Sequence, residues 1–253
     1  MIVVTVTNQK GGVGKSTTAH ALGAGLALDG NRVLFVDLDP QGNLSHSLQA
    51  APGFSAFDLL TNKVPAGSVI QQTEQGHIIP ASGALSSADL ILSTVTGKEY
   101  RMREALEAVR GQYDYAVIDT PPALGTLTVN AMTAANVLVI PAMADVFSLQ
   151  GIGQLSDTIQ TVRKYCNPAL KLGGVLLTRH SGRGILSRDM AELISRAAAA
   201  LGTSVYNTTI RECVALKEAQ ANRQDIFSYA PRSNAAKDYT AFIKEFKEGV
   251  NNG

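Results

Sequence analysis

A glycine-rich stretch near the N-terminus carries two lysines where a phosphate-binding loop ordinarily needs one. Residues 8–17 read NQKGGVGKST, and the usual G-x-x-x-x-G-K-[ST] pattern fails because Gln9 stands where its first glycine belongs. The stretch follows an apolar run and precedes a helix-length segment. In that context backbone N–H groups and a helix N-terminus together hold phosphate oxygens. The sequence therefore predicts a phosphate-binding loop of unusual composition.

The residue types in this loop suit different parts of a nucleotide site. Its glycines allow the backbone to close around phosphates without Cβ clashes. Lys15 is suited to neutralise the β- and γ-phosphate oxygens, and the Ser16 hydroxyl to ligate Mg²⁺. Lys10 cannot easily fold back onto phosphates that its own backbone wraps. We therefore expect Lys10 to be free to reach a neighbouring molecule.

Three aspartates are expected at the ends of buried strands beside this loop. Asp37 and Asp39 lie in VDLDPQGN, and Asp119 lies in DYAVIDTPP. The carboxyl ends of parallel strands meet at one edge of a sheet, so these side chains should converge. Phosphoryl transfer needs a metal, a positioned water and charge neutralisation, which carboxylates beside a lysine can supply. A lone strand-end aspartate can equally be a helix cap or turn former.

Short apolar runs alternate with longer amphipathic segments along the chain. Strands are predicted at residues 2–7, 33–37, 77–80, 115–119, 137–141 and 174–178, and helices at 16–28, 99–109, 149–165 and 187–201. This alternation predicts an α/β fold, a doubly wound and mainly parallel sheet with helices on both faces. Residues 50–87, rich in Gly, Ser, Ala and Pro, give the weakest pattern.

Composition limits the class of protein. The 253 residues are 45% hydrophobic, enough for one large core, and we expect a single domain over residues 1–253. The two cysteines lie far apart in sequence, and no apolar run reaches the length of a membrane span. These features predict a cytoplasmic protein. Residues 1–150 hold 8 Lys and Arg against 12 Asp and Glu, whereas residues 151–253 hold 14 against 9. The basic second part is compatible with a nucleic-acid face.

Four motifs resemble one known family. KGGVGKST resembles the deviant Walker A loop of the ParA/MinD group of P-loop ATPases, and DLDPQGN, DYAVIDTPP and YAPRS are similar to its ParA (Soj-like) partition branch. The resemblance runs from Met1 to about Lys247. It implies an ATPase with ATP and Mg²⁺ as cofactors. The implied nucleotide-binding residues are Lys10, Gly11, Gly12, Val13, Gly14, Lys15, Ser16 and Thr17.

The same resemblance implies roles for individual residues. In that family the leading lysine, here Lys10, contacts the nucleotide of the partner subunit, so two protomers form a homodimer around two ATP molecules. Lys10, Lys15 and Asp39 are the implied catalytic residues, with Asp39 positioning the attacking water. Ser16, Asp39 and Asp119 are the implied metal site, in which the carboxylates act through water. Residues 120–122, TPP, resemble a switch that senses the γ-phosphate.

Partners are implied less specifically. Related partition ATPases bind DNA without sequence preference through basic residues of the C-terminal part. The corresponding candidates here are Arg183, Arg188, Arg211 and Lys217. Each of these is also compatible with a solvated, salt-bridged surface. The chain reads VALKEA where the family often has an arginine, so Ala215 departs from the pattern. A ParB-like adaptor that stimulates slow intrinsic hydrolysis, and a nucleoid-associated location, follow from the same resemblance.

Other functions remain open from sequence. A ParA-like protein can position a cargo other than DNA, and a MinD-like regulator would cycle on a membrane. The amphipathic C-terminus has mixed acids and bases on its polar face, which suits anionic lipid less than a basic face does. We therefore expect a C-terminal helix packed on the core and no membrane partner. A phosphate transferase of the dethiobiotin synthetase kind shares the loop and fold.

Overall fold

The computed structural model describes residues 1–180 and 185–251, and one sheet of seven strands lies at its centre. The strands are β1 Ile2–Val6, β2 Val33–Asp37, β3 Gln71–Thr73, β4 Gly76–Ile79, β5 Tyr115–Asp119, β6 Val137–Ala142 and β7 Lys171–Leu177. Their order across the sheet is β3-β4-β2-β5-β1-β6-β7. Only the β3–β4 pair among them is antiparallel. The predicted fold class is confirmed.

Helices connect most of the strands. They are α1 Lys15–Leu28, α2 Asn43–Ser47, α3 Ala56–Asn62, α4 Ala66–Val69, α5 Ala88–Leu92, α6 Arg101–Glu107, α7 Thr126–Ala134, α8 Val146–Tyr165, α9 Ile185–Ala200, α10 Val214–Ala221, α11 Ile226–Tyr229 and α12 Asn234–Asn251. Short 3-10 segments lie at Gly83–Ser87, Lys98–Tyr100 and Arg110–Gln112. The helix predicted at 99–109 is therefore shorter, because its first turn is a 3-10 turn.

Alternate strand residues face opposite sides of the sheet, as the pleat requires. Phe35 and Val117 belong to the core cluster that contains the aromatic residues of α12. Their neighbours Leu34 and Ile118 belong to a cluster on the other face with residues of α3 and α6. Both faces of the central strands are therefore covered, which explains why those strands read as continuous apolar runs.

The C-terminal helix α12 packs on the core. Tyr239, Phe242 and Phe246 are each at most 1% exposed, and the Tyr239 hydroxyl lies 3.2 Å from the hydroxyl of Thr18 on α1. The apolar stripe of α12 is thus used within this chain. Among the described residues, no helix has both the length and the apolarity needed to cross a bilayer.

Candidate nucleotide-binding site

The glycine-rich loop joins β1 to α1, and its backbone requires glycine at two positions. Gly12 and Gly14 have φ angles of +76° and +85°, in the left-handed region that other residues rarely adopt. Gly14 is the N-cap of α1, and no side chain caps that end of the helix. The first N–H groups of α1 therefore have no capping side chain and are available to an anion.

A cavity of about 550 Å³ opens beside this loop at the carboxyl ends of the strands. Residues of the loop and the start of α1 line one side of it, together with Asp39. The other side is formed by residues after β7 and by α10. The lining there includes Thr178, Arg179, Ile210, Arg211, Glu212, Cys213, Leu216, Lys217 and Gln220. The cavity thus borders the ends of β2 and β7, where a doubly wound sheet places its ligands.

Lys15, the first residue of α1, is largely buried at the base of the cavity. Its ammonium donates a hydrogen bond to the Lys10 carbonyl at 3.2 Å. Burial lowers the pKa of Lys15, although the charges of Asp119 and Asp39 oppose that shift. A desolvated ammonium with a single neutral acceptor is suited to bind phosphate oxygens.

Asp119 ends β5 and is completely buried. Within the described part of the chain, neither of its carboxylate oxygens has a hydrogen-bond partner. Burial and the nearby Asp37 raise the pKa of Asp119 well above its usual value, and the Ser16 hydroxyl and Lys15 lower it only in part. A buried, unpartnered carboxylate beside a hydroxyl matches the oxygen ligands and ordered waters that Mg²⁺ takes.

The two aspartates of VDLDP have different environments. Asp37 accepts hydrogen bonds at 2.7 Å from both the backbone amide and the hydroxyl of Ser45, and burial raises its pKa to about 6. Asp37 therefore fixes α2 to the end of β2. Asp39 lines the cavity and accepts a hydrogen bond from the Gln41 amide at 3.0 Å. The predicted convergence of three carboxylates is present, and Asp39 is the one that faces the cavity.

Two buried polar residues outside the motifs hold the loop in place. The Thr178 hydroxyl donates to the Val13 carbonyl at 2.8 Å. Asn8 accepts from the Lys10 amide at 3.0 Å and donates to the Pro141 carbonyl at 2.7 Å. Neither residue was predicted from sequence to hold the loop, because their partners come from β6 and from the loop itself. Thr178 ends the predicted strand at 174–178, and that position was the available signal.

The leading lysine contacts a different helix. The Lys10 ammonium forms an ion pair with the carboxylate of Asp145, the N-cap of α8. It also lies 5.7 Å from the centroid of the Phe147 ring. The ammonium groups of Lys10 and Lys15 therefore have different surroundings within this protomer. Lys15 lies at the base of the cavity, and Lys10 is paired at the start of α8.

The candidates for DNA binding that lie in the described part of the chain have different surroundings. Arg211 makes a two-pronged ion pair with Asp238, at 2.9 and 2.6 Å, and lines the cavity. Lys217 also lines the cavity and is 71% exposed. Arg188 is exposed on α9, and Arg183 lies outside the described residues. Arg211 and Lys217 therefore line the cavity, whereas Arg188 is exposed on α9 and is not among the lining residues.

Comparisons with known proteins identify the family to which this chain belongs. A family model described as "AAA domain" matches residues 1–172. The sporulation initiation inhibitor protein Soj of Bacillus subtilis is 40% identical over 96% of this chain and 97% of its own. The chromosome-partitioning ATPase Soj of Treponema pallidum is 39% identical over 94% of each chain. The chain belongs to the ParA/Soj family of partition ATPases. Its identity as a P-loop ATPase rests on this membership and on the loop together.

A solved structure shows the same fold with ligands. The crystal structure of cobyrinic acid a,c-diamide synthase from Mycobacterium smegmatis with a bound ATP analogue and magnesium is 34% identical to this chain. The match covers 96% of this chain and 93% of that one, with a TM-score of 0.83. That protein is named for a synthase activity, so the fold by itself does not identify a partition function. The partition relatives are the more similar in sequence.

Proposed function

We propose that this partition ATPase binds ATP as a sandwich homodimer, binds DNA without sequence preference in that state, and moves a DNA cargo. A ParB-like adaptor on the cargo stimulates slow hydrolysis and releases the dimer from DNA. Such a protein works in the cytoplasm, at the nucleoid. The observation that carries the proposal is the position of the leading lysine, Lys10. Its ammonium lies at the start of α8, so that within one protomer Lys15 is the lysine at the phosphate site.

The residues present fit ATP and Mg²⁺. The uncapped start of α1 and Lys15 provide the phosphate site, and the cavity around it is lined by Gly11, Gly12, Gly14, Ser16 and Thr17. Ser16 and Asp119 would provide oxygen ligands for magnesium, directly or through water, and Asp39, which lines the same cavity, would join them through water. No group of three or more His, Cys, Asp or Glu side chains forms a metal cage in residues 1–180 and 185–251. This agrees with an ion held mainly by phosphates, a hydroxyl and waters. When bound, Mg²⁺ neutralises charge that develops on the phosphates.

The catalytic roles divide between two protomers. Lys15 neutralises the phosphates of its own ATP, Asp39 positions the attacking water, and Lys10 reaches the phosphates bound by the other protomer. The base is bound by cavity residues after β7 and on α10, among them Thr178, Ile210 and Leu216. Hydrolysis is slow until a partner acts, because a positioned water and lysines alone leave part of the transition-state charge unmatched.

DNA binding is assigned to the α9 surface. Arg188 is exposed there and Arg183 precedes it in sequence. Phosphate contacts of this kind carry no sequence information and are salt-dependent. Replacing both arginines with alanine should weaken binding equally for unrelated duplexes and flatten the salt dependence. Loss for one sequence only would indicate operator recognition instead.

The experiment that tests the proposal measures dimerisation and DNA retention on the same samples. Light scattering and retention on a nonspecific duplex are recorded with ADP, with ATP and with a slowly hydrolysed ATP analogue. Dimer and DNA binding are expected together, with ATP or its analogue only. A dimer without DNA binding would favour the MinD-like alternative, to be tested on liposomes. A monomer in every nucleotide state would refute the sandwich.

A further inference from the structure

We propose that Asp145 is a positioning residue that holds Lys10 within its own protomer and competes for it with the nucleotide of a second copy. The inference rests on the proposed sandwich dimer. The Lys10–Asp145 ion pair of each protomer then opposes dimerisation. Dimer formation then requires Lys10 to leave Asp145 in each protomer.

The contacts of Lys10 show what must be broken. Its ammonium is paired with Asp145, and the two side chains are 22% and 32% exposed. The Phe147 ring lies 5.7 Å away and adds a cation–π contact. Partial burial alone would raise the pKa of Asp145, but the hydrogen bonds from Lys10 and Ser148 hold it below its usual value. Asp145 is therefore charged at neutral pH and attracts the ammonium.

The start of α8 keeps Asp145 close to the loop. A Cβ added to Gly151 would lie 3.0 Å from the Asn8 amide oxygen and 3.8 Å from the Lys10 backbone nitrogen. The helix therefore approaches the first residues of the loop at a position where only a glycine fits easily. This close packing fixes the distance between the Asp145 carboxylate and the Lys10 backbone. The ion pair is consequently part of the loop conformation in the single protomer.

The two oxygens of Asp145 have separate tasks. Oδ1 accepts a hydrogen bond from the Ser148 amide at 2.8 Å and caps α8. Oδ2 accepts from Lys10. Asparagine and serine cap a helix about as well as aspartate but carry no charge. Asp145→Asn and Asp145→Ser therefore remove the competition for Lys10 and keep the start of α8.

The surface around the pair is suited to being covered by another protein. Val146 and Phe147 are 52% and 69% exposed, directly after Asp145 in sequence. Two large apolar side chains beside the paired lysine form a patch that water hydrates poorly. The occupant we assign is a second copy of this chain, because the same Lys10 is the residue expected to reach across.

The test compares dimer dissociation constants in the presence of a slowly hydrolysed ATP analogue, measured by light scattering over a range of protein concentrations. Two ion pairs are released per dimer, so Asp145→Asn should dimerise at roughly a tenfold lower protein concentration. Asp145→Ser should behave alike, and Asp145→Glu should restore the wild-type value. With ADP, both uncharged variants should remain monomeric.

Two controls separate the proposal from general effects of charge. Asp114→Asn removes an aspartate from an exposed ion pair with Arg32, before β5 and at the amino ends of the strands, opposite the cavity. It should leave dimerisation unchanged. In a Lys10→Ala background, Asp145→Asn should have no effect, since the competing ammonium is gone.

If wild type forms a dimer and both uncharged variants dimerise no better than wild type, the role of Asp145 is wrong and the sandwich dimer still stands. Tighter dimerisation caused by Asp145→Asn in the Lys10→Ala background would also overturn the role of Asp145, because that effect could not act through Lys10. If wild type and all variants stay monomeric with the analogue, the sandwich dimer itself fails.

Discussion

At the scale of single residues, Asp119 is the clearest case of a group whose position suits function more than stability. It is fully buried without a hydrogen-bond partner among the described residues. Its folded pKa is raised above the unfolded value of 3.8. The stability that it contributes is therefore present below pH 3.8 and is lost as pH rises through the folded pKa. At neutral pH the buried, charged carboxylate therefore lowers the stability of the nucleotide-free protein.

We expect Asp119→Asn to raise the melting temperature of the nucleotide-free protein at pH 7.5 and to abolish ATP hydrolysis. Every tenfold change in the proton affinity of the carboxylate is worth about 1.4 kcal/mol, and each kcal/mol shifts the melting temperature by about 2–4 °C in a domain of this size. The gain should shrink as pH falls toward 4, where the wild-type side chain is also neutral. Thermal denaturation at both pH values checks this. A loss of stability at pH 7.5 would contradict the assigned cost of the charge.

The residues of the motifs could be placed from sequence, because each belongs to a short contiguous pattern. The loop, Asp39 and Asp119 were predicted at the carboxyl ends of strands, and the structure brings them together. Asn8, Thr178 and Asp145 could not be assigned in this way. Their contacts depend on which strands are neighbours, and local periodicity does not contain that order.

At the scale of elements, α1 depends on close contact with β2. A Cβ added to Gly23 would lie 2.1 Å from Cε1 and 2.5 Å from Cζ of Phe35, a rigid ring that is 1% exposed. Gly23→Ala should therefore destabilise the fold by about 1–3 kcal/mol through overpacking. Chemical denaturation with urea measures the change in the free energy of unfolding.

Gly153 provides the matched control. It also lies inside a helix, α8, but is exposed, and a Cβ there would meet nothing within 4 Å. Gly153→Ala should stabilise the protein by roughly 0.5–1 kcal/mol, the usual helix preference of alanine. Equal effects of the two substitutions would show that helix propensity, and not the Phe35 contact, decides the outcome at Gly23.

Elements with strong apolar patterns were predicted well, and those without them were missed. The buried parallel strands were placed within one or two residues, apart from the start of β7, since β-branched runs bounded by turns are distinctive. The strand β3, QQT, was not predicted because it is polar and lies at the sheet edge. Helix α8 begins three residues before the prediction because Asp145 caps it.

At the scale of the whole molecule, His20 joins segments that are distant in sequence. It lies on α1 and is 6% exposed, and its Nε2 is 3.1 Å from the Gln75 amide oxygen. The Gln75 amide nitrogen donates in turn to the carbonyls of Ser47 and Arg223, at 2.8 and 2.9 Å. Burial lowers the pKa of His20, against the opposing effects of Asp225 and Gln75.

The lowered pKa of His20 predicts a loss of stability in mild acid. The folded pKa lies below the unfolded value of 6.5, so the unfolded chain binds more protons as pH falls. The contribution of His20 is complete above pH 6.5 and is lost below it, by about 1.4 kcal/mol for every tenfold difference in proton affinity between the folded and unfolded chain. His20→Gln should therefore differ most from wild type at pH 8 and least at pH 5. A difference in melting temperature that stays constant between those pH values would contradict the assignment.

The measurement that tests the central claim most directly is complementation between two inactive variants, Lys10→Ala and Asp39→Ala. If Lys10 acts across a dimer, a mixed dimer contains one complete site, with Asp39 from one protomer and Lys10 from the other. An equimolar mixture should then regain up to roughly a quarter of the wild-type ATPase rate, given random pairing in a two-fold dimer. Each variant alone should be inactive. A mixture no more active than the sum of its parts, with mixed dimers demonstrated by light scattering of differently sized fusions, would contradict the action of Lys10 across the dimer.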